Sequence, residues 1–259
     1  MRNLTWVVVL LFAGLTFPAT GAELEIQIVY DNTSARSGIA ADWGFAAVVT
    51  FRGQRILFDS GTKPELFLEN LRKLEIAPNS ISHAVFSHEH GDHMNGIYQL
   101  FPMNSSMAVY FLDSFQEAWF QKAQAVGMRP QRVTGPVEIV PGIYTTGIVE
   151  GPVSEQALII ETSKGLVVLT GCSHPGVAKI VEAAEKQRSQ DSVRLVLGGF
   201  HMTNQREAQI RAQIARLQEL NVTSVGPTHC TGELAQKLFR EVYGDQYLTL
   251  GAGKLLELE

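Results

Sequence analysis

Ser87-His88-Glu89-His90-Gly91-Asp92-His93, entered from the apolar run Ala84-Val85-Phe86, packs three imidazoles and a carboxylate into six residues. Imidazole and carboxylate donors together suit zinc, iron or manganese, and packing alone does not account for such a density. In extended chain, residues two apart project to the same side, so His88 and His90 can share one cation. Gly91 would let the chain turn sharply and bring Asp92 and His93 to a second cation; paired metals in hydrolases lie about 3.5–4 Å apart. Glu89 points away from the pair, as a surface or supporting group. Four donors do not complete two sites, so the remaining ligands must come from elsewhere in the chain.

Two later turns offer them. Leu166–Thr170 leads into Gly171-Cys172-Ser173-His174, where His174 is the expected third ligand beside His88 and His90. Cys172, two residues earlier, either touches or bridges the metals as a thiolate or simply lines the site. Gly226-Pro227-Thr228-His229-Cys230-Thr231-Gly232 supplies His229 as the third ligand beside Asp92 and His93. His201, after Gly198-Gly199-Phe200, is an acid/base or substrate-contacting group, with a structural role as the alternative. Asp59 in Leu57-Phe58-Asp59-Ser60-Gly61 could accept a hydrogen bond from a ligand imidazole and orient it; the alternative is a plain helix-start turn. Asp31-Asn32 ends the first strand and is a weaker cleft candidate. Six of the seven histidines follow expected strands, where α/β sheets build their sites. His83 precedes its strand and is assigned no catalytic role.

The pattern around these turns is α/β. Strands are expected at Glu25–Tyr30, Phe45–Phe51, Arg55–Phe58, Ala84–Phe86, Met107–Phe111, Val137–Val140, Gly142–Thr146, Ala157–Glu161, Leu166–Leu169, Val193–Leu197 and Thr223–Val225. Capping boxes at Thr62-Lys63-Pro64-Glu65 and Ser114-Phe115-Gln116-Glu117 open helices to about Leu74 and Val126. Further helices are expected at Pro175–Lys186, Asn204–Leu220 and Gly232–Tyr243. No linker divides the chain, so residues 23–259 read as one α/β domain with helices outside mixed sheets.

The N-terminus carries Arg2, an apolar run Trp6–Phe17 and small residues to Ala22. This is the pattern of a signal peptide over 1–22, its apolar run well short of the roughly 20 residues that span a bilayer. The mature chain is therefore expected in the periplasm or outside the cell, without a stable membrane anchor. The formal charge is −5, and −6 without residues 1–22 (20 Lys and Arg against 26 Asp and Glu). That balance and the lack of a basic tract do not suit a nucleic-acid partner and leave a small-molecule substrate. Cys172 and Cys230 are the only cysteines. Export makes a disulfide between them the default expectation, but both flank candidate ligands, so both readings stand.

Together, Phe58-Asp59-Ser60-Gly61, the histidine motif, Gly171-Cys172-Ser173-His174 and Pro227-Thr228-His229-Cys230-Thr231-Gly232 resemble the metallo-β-lactamase superfamily, and occur in its order. The resemblance implies a four-layer αβ/βα sandwich with a two-metal site between the sheet edges. Many members carry a further histidine in a Gly-His-Thr turn; here Thr145-Thr146-Gly147 has none, and His174 must stand in for it. With Gly198-Gly199-Phe200-His201, this is similar to the branch named for a dihydropterin methyl-ribofuranosylaminobenzene phosphate synthase. The branch reaction is not carried over, because an exported protein is an unsuitable place for it. Antibiotic hydrolysis is not implied either.

The expected activity is hydrolysis of an ester, thioester, lactone or phosphoester. A hydroxide bridging two divalent cations would attack, with Asp92 and His201 as catalytic groups. Zinc is the first choice of metal, with iron or manganese as alternatives. An iron-binding redox member of the same fold and a non-catalytic ligand or metal binder are the rival readings.

Overall fold

A computed structural model describes residues 22–188 and 192–259. The expected signal peptide falls almost wholly on residues outside these. The first half builds strands β1 (Leu24–Tyr30), β2 (Ala46–Phe51) and β3 (Gln54–Phe58), helix α1 (Pro64–Lys73) and strand β4 (His83–Val85). Short helices α2 (Gly91–Met94) and α3 (Ile97–Leu100), strand β5 (Ala108–Leu112), helix α4 (Glu117–Ala125) and strand β6 (Gln131–Val133) complete it. The second half has β7 (Val137–Val140), β8 (Ile143–Thr145), β9 (Leu158–Thr162), β10 (Gly165–Thr170), α5 (Val177–Arg188) and β11 (Val193–Gly199). It continues with α6 (Glu207–Glu219), β12 (Val222–Thr228) and α7 (Glu233–Tyr243), and β13 (Leu255–Leu258) returns to the first sheet.

The strand order is β13-β1-β2-β3-β4-β5-β6 in one sheet and β12-β11-β10-β9-β8-β7 in the other. Period-two alternation explains how they stack. Leu158, Ile160, Val167, Leu169, Leu195 and Leu197 share a buried cluster with the first sheet, whereas Ile159, Leu166 and Val168 join α5, α6 and α7 in a second one. On the other side of the first sheet, α1 packs Phe67 and Leu71 inward. Helix, sheet, sheet and helix layers result: the αβ/βα sandwich. Each fully buried Val, Leu or Ile contributes about 1.5–3 kcal/mol, so a charge at Val167, inside the sandwich, would be among the most damaging single changes.

Several local expectations are corrected. Neither capping box forms: Lys63 and Gln116 are the N-cap residues, without side-chain caps. Thr62 Oγ1 instead donates to the Trp43 carbonyl, and the Gln116 N–H donates to Glu89 Oε2 at 2.6 Å. Tertiary partners thus replaced local ones. Helix α5 begins at Val177, not Pro175, and α6 at Glu207, not Asn204. Strand β12 runs on through Pro227 to Thr228, which an edge strand tolerates. His83 is the first residue of β4. Strands β6 and β13 were not anticipated; both are short strands at sheet edges. Gly91 is not in the left-handed region; the chain turns because α2 starts there.

Strands β3, β4 and β5 run parallel in one sheet, as do β10, β11 and β12 in the other. Register levels their ends. Phe58 pairs with Val85, Thr170 with Gly198 and Gly199 with Thr228. The segments that follow, with Asp59, Ser87–His88, Cys172–His174, His201 and His229, therefore leave both sheets at one edge of the sandwich.

Candidate metal centre

The ligating atoms of His88, His90 and His174 lie within 4.8 Å of one another, as do those of Asp92, His93 and His229. The structure thus brings together the same residues that the sequence grouped, each group completed from the opposite sheet. Cys172 joins both: its Sγ groups with His88 and His93, and again with His229 and Cys230. The Cys172 Sγ sits 3.2 Å from His93 Nε2. Both cysteines are free and buried, so the disulfide reading is not realised here. His201 is exposed beside the first set, its ring 4.1 Å from that of His174. His83 lies apart from all of these, with Nδ1 2.8 Å from Ser82 Oγ.

The donor chemistry fits a pair of cations. His88 Nε2 faces His90 Nδ1 at 3.1 Å, and His93 Nε2 faces His229 Nε2 at 3.2 Å, so imidazole nitrogens converge in each set. The far nitrogens are anchored elsewhere: His88 Nδ1 by Ser87 Oγ at 2.9 Å, His93 Nδ1 by Asp59 Oδ2 at 2.7 Å, His229 Nδ1 by Asn32 Oδ1 at 3.0 Å and His174 Nδ1 by Glu155 Oε1. Anchoring one nitrogen sets the ring angle and tautomer and leaves the other lone pair for a metal. Burial holds His88 well below the ordinary imidazole range and His93 down to about 3, keeping both in the neutral form that metals require. His229 differs: burial pushes it down, but the hydrogen bond to Asp92 raises it overall. Burial also opposes ionisation of Asp92, yet His229 at 3.4 Å and His93 outweigh it and hold the carboxyl below the usual range.

The supporting residues are as well placed as the donors. Asp59 is fully buried, which raises its carboxyl; it accepts from Ser87 N at 2.8 Å, Ser87 Oγ at 2.7 Å and His93 Nδ1. Gly171 is required here, since a Cβ would lie 2.0 Å from Ser87 Oγ. Asp59, Ser173, His201 and His229 all adopt positive φ, between 49° and 65°. Such backbone costs about 1–3 kcal/mol per residue and persists only where surrounding contacts impose it.

Two supporting residues were missed. Glu155, buried in the loop before β9, accepts from the backbone of Cys172, Ser173 and His174 at 3.3, 2.9 and 2.7 Å, as well as from the His174 ring. Burial opposes its ionisation, but His88 and His174 hold it at about 2. Gln156 donates to the Phe86 carbonyl at 2.8 Å from its side chain and to the Ser87 carbonyl at 2.9 Å from its backbone, fixing the approach to His88. A lone Glu-Gln in a loop carries no sequence signal for this role. Asn32, flagged only weakly, also binds the His229 carbonyl at 3.0 Å. The histidine-free turn at Thr146-Gly147 is packed elsewhere: a Cβ on Gly147 would lie 2.3 Å from the Gly135 backbone.

The profile described as the metallo-beta-lactamase superfamily matches residues 44–103. The 7,8-dihydropterin-6-methyl-4-(beta-D-ribofuranosyl)-aminobenzene-5'-phosphate synthase of Methanocaldococcus jannaschii is 30% identical over 248 residues, covering 79% of this chain and 84% of that protein. A solved structure described as a metal-dependent hydrolase of the beta-lactamase superfamily is 27% identical, with a TM-score of 0.75 over 91% of this chain and 99% of that one. A diphosphatase of the PhnP family, 14% identical, shares the fold with a TM-score of 0.61 over 91% of this chain and 97% of that one.

Proposed function

Because the chain belongs to the metallo-β-lactamase superfamily, we propose that it is an exported, binuclear metal-dependent hydrolase acting on a small ester, thioester, lactone or phosphoester. The observation that carries this reading is the double ligand set, in which each of His88, His93, His174 and His229 has its distal nitrogen held. The likeness to a metal-dependent hydrolase over nearly the whole chain supports it. His88, His90 and His174 would hold one cation and Asp92, His93 and His229 the other, with Cys172 between them; zinc suits this nitrogen, oxygen and sulfur set. Two bound divalent cations would supply Lewis acidity and lower the pKa of water.

The chain's own groups then divide the work. Asp92, kept ionised, would hold the attacking water and relay its proton toward the leaving group. His201, exposed beside His174, would give a proton to the departing oxygen or sulfur. Asp59, Asn32, Ser87 and Glu155 hold the imidazoles in place.

The test is metal analysis of the mature protein together with a substrate panel of phosphodiesters, lactones and thioesters. Two equivalents of zinc and turnover lost in both His88→Ala and Asp92→Ala are expected. Unchanged turnover in either variant overturns the assignment, and stoichiometric iron with weak hydrolysis favours the redox reading. The similarity to a synthase supports a second reading, in which the same centre joins an activated dihydropterinylmethyl ester to a phosphorylated aminobenzene riboside, the riboside displacing the ester's acid group and losing a proton. Mass spectrometry of that mixture after incubation separates the two. For export, N-terminal sequencing of secreted protein should begin near residue 23.

A further inference from the structure

Five aromatic contacts join six rings in a row: Trp43 to His229 at 4.9 Å, His229 to His93 at 5.0 Å, His93 to His88 at 4.2 Å, His88 to His174 at 4.8 Å and His174 to His201 at 4.1 Å. His88, His93 and His229 in the middle are buried, while Trp43 and His201 at the two ends are exposed. One end of the centre is therefore an imidazole and the other an indole. Trp43 is 52% exposed. Of the described residues, Met103, Leu234, Val242 and Leu255 are the other large exposed apolar side chains, and Trp43 alone among the five makes a ring contact with a proposed ligand.

The indole is held in this open position by its backbone. On one side, Asp42 donates its N–H to the Asp31 carbonyl at 3.1 Å and pairs with Lys63 at 2.7 Å. On the other, the Gly44 N–H donates to Asn32 Oδ1 at 3.1 Å and the Phe45 N–H to the Asp92 carbonyl at 3.2 Å. Thr62 Oγ1 holds the Trp43 carbonyl. Gly44, at φ 139°, passes so close that a Cβ would lie 2.6 Å from the Asp92 carbonyl oxygen. The two residues that follow Trp43 are thus tied to Asn32 and Asp92, which also contact His229. An aromatic face left in water beside a polar centre forgoes the burial that large apolar side chains normally gain. Its chemistry suits a second ring, which stacks at centroid distances of about 4.5–7 Å.

We infer that Trp43 is a specificity-determining platform, and that the substrate carries a planar aromatic group next to the bond placed at Asp92, His93 and His229. This rests on the hydrolytic reading of the same centre for the scissile bond but not for the ring. Stacking and burial together correspond to roughly a tenfold preference for an aryl over a methyl group.

The experiment uses the metal-loaded mature protein and two non-hydrolysable probes, benzylphosphonate and methylphosphonate, titrated by calorimetry and by tryptophan fluorescence. Benzylphosphonate should bind about tenfold tighter and quench the emission. Trp43→Ala should bring the two affinities to within about twofold, with methylphosphonate unchanged, and Trp43→Phe should keep most of the preference. Trp119, half-buried and stacked on Tyr98, remains as the fluorescence control. An aryl preference that survives in Trp43→Ala, equal affinities in the parent protein, or no binding of either probe overturns the inference. An aryl preference lost in Trp43→Ala, in a protein that hydrolyses nothing on the panel, supports the platform and overturns the hydrolytic reading alone.

Discussion

His93 Nε2 and His229 Nε2 lie 3.2 Å apart, although 136 residues separate them in the chain. Each ring is fixed from behind, one by Asp59 and the other by Asn32. His93 comes from helix α2, which follows β4 of the first sheet, and His229 from the turn just past β12 of the second. Their meeting is what joins the two sheets at a chemical centre.

The anchors behind the rings should control metal affinity without touching metal. Asp59→Asn replaces an acceptor facing three donors with an amide that cannot accept from all of them. Glu155→Gln weakens the carboxylate that gathers the Cys172–His174 backbone. Each variant should lose about 10–100-fold in metal affinity. Competition against a metallochromic chelator measures this, and affinity within threefold of the parent would remove the supporting role.

Removing metal should destabilise the protein by linkage, because the paired ligand sets exist only in the folded chain. At a free metal concentration 100 times Kd, binding contributes about 2.7 kcal/mol per site. Melting after chelation should therefore occur at lower temperature and recover with added zinc. A melting curve indifferent to chelator would argue against tight binding.

Close backbone approach makes Gly199 irreplaceable. An added Cβ would lie 2.5 Å from the Gly171 carbonyl oxygen and 2.8 Å from Cys230 Sγ. Gly199→Ala should cost about 1–3 kcal/mol by overpacking. Gly135→Ala, where a Cβ meets nothing within 4 Å, serves as the control and should stay within about 0.5 kcal/mol. Urea denaturation of both variants tests the contrast.

Alkaline stability should depend on buried phenols. Burial pushes Tyr30 and Tyr243 up to about 12, from an ordinary value near 10. A folded-state pKa above the unfolded one gives stability that is complete below about pH 10 and lost as pH rises toward 12. The Tyr243 hydroxyl is buried without a partner. Tyr243→Phe should accordingly match or exceed the parent stability at pH 8, by up to about 1 kcal/mol, and lose less between pH 10 and 11.5. Melting temperatures across that range provide the measurement; a steeper alkaline loss in the variant contradicts it.

Much of the site was legible because its donors are written as dense local motifs. His88, His90, Asp92 and His93 fall within six residues, and the apolar run before them marks a strand end. His174 and His229 were readable from the same grammar of strand, glycine and histidine. Glu155 and Gln156 were not, because a buried carboxylate in a loop looks like any exposed one until the fold closes over it. The helix starts failed for a related reason. Thr62 and Ser114 have the right spacing for capping boxes, but at Thr62 the Trp43 carbonyl took the hydroxyl, and at Gln116 the Glu89 carboxylate took the backbone N–H.

The sequence by itself determined the donor types, their order and the alternation that buries both faces of β9 and β10, since these depend on residue identity and on periods of two and three or four residues. Tertiary structure alone decided which donors meet. Parallel pairing levels the ends of β10, β11 and β12, and packing of the two sheets brings them against the ends of β3 and β4. It also left Trp43 in the open beside His229, its carbonyl held by Thr62 and the next two residues by Asn32 and Asp92. Contacts between residues more than a hundred positions apart leave no local pattern, because they arise only when sheet register and layer packing are satisfied together.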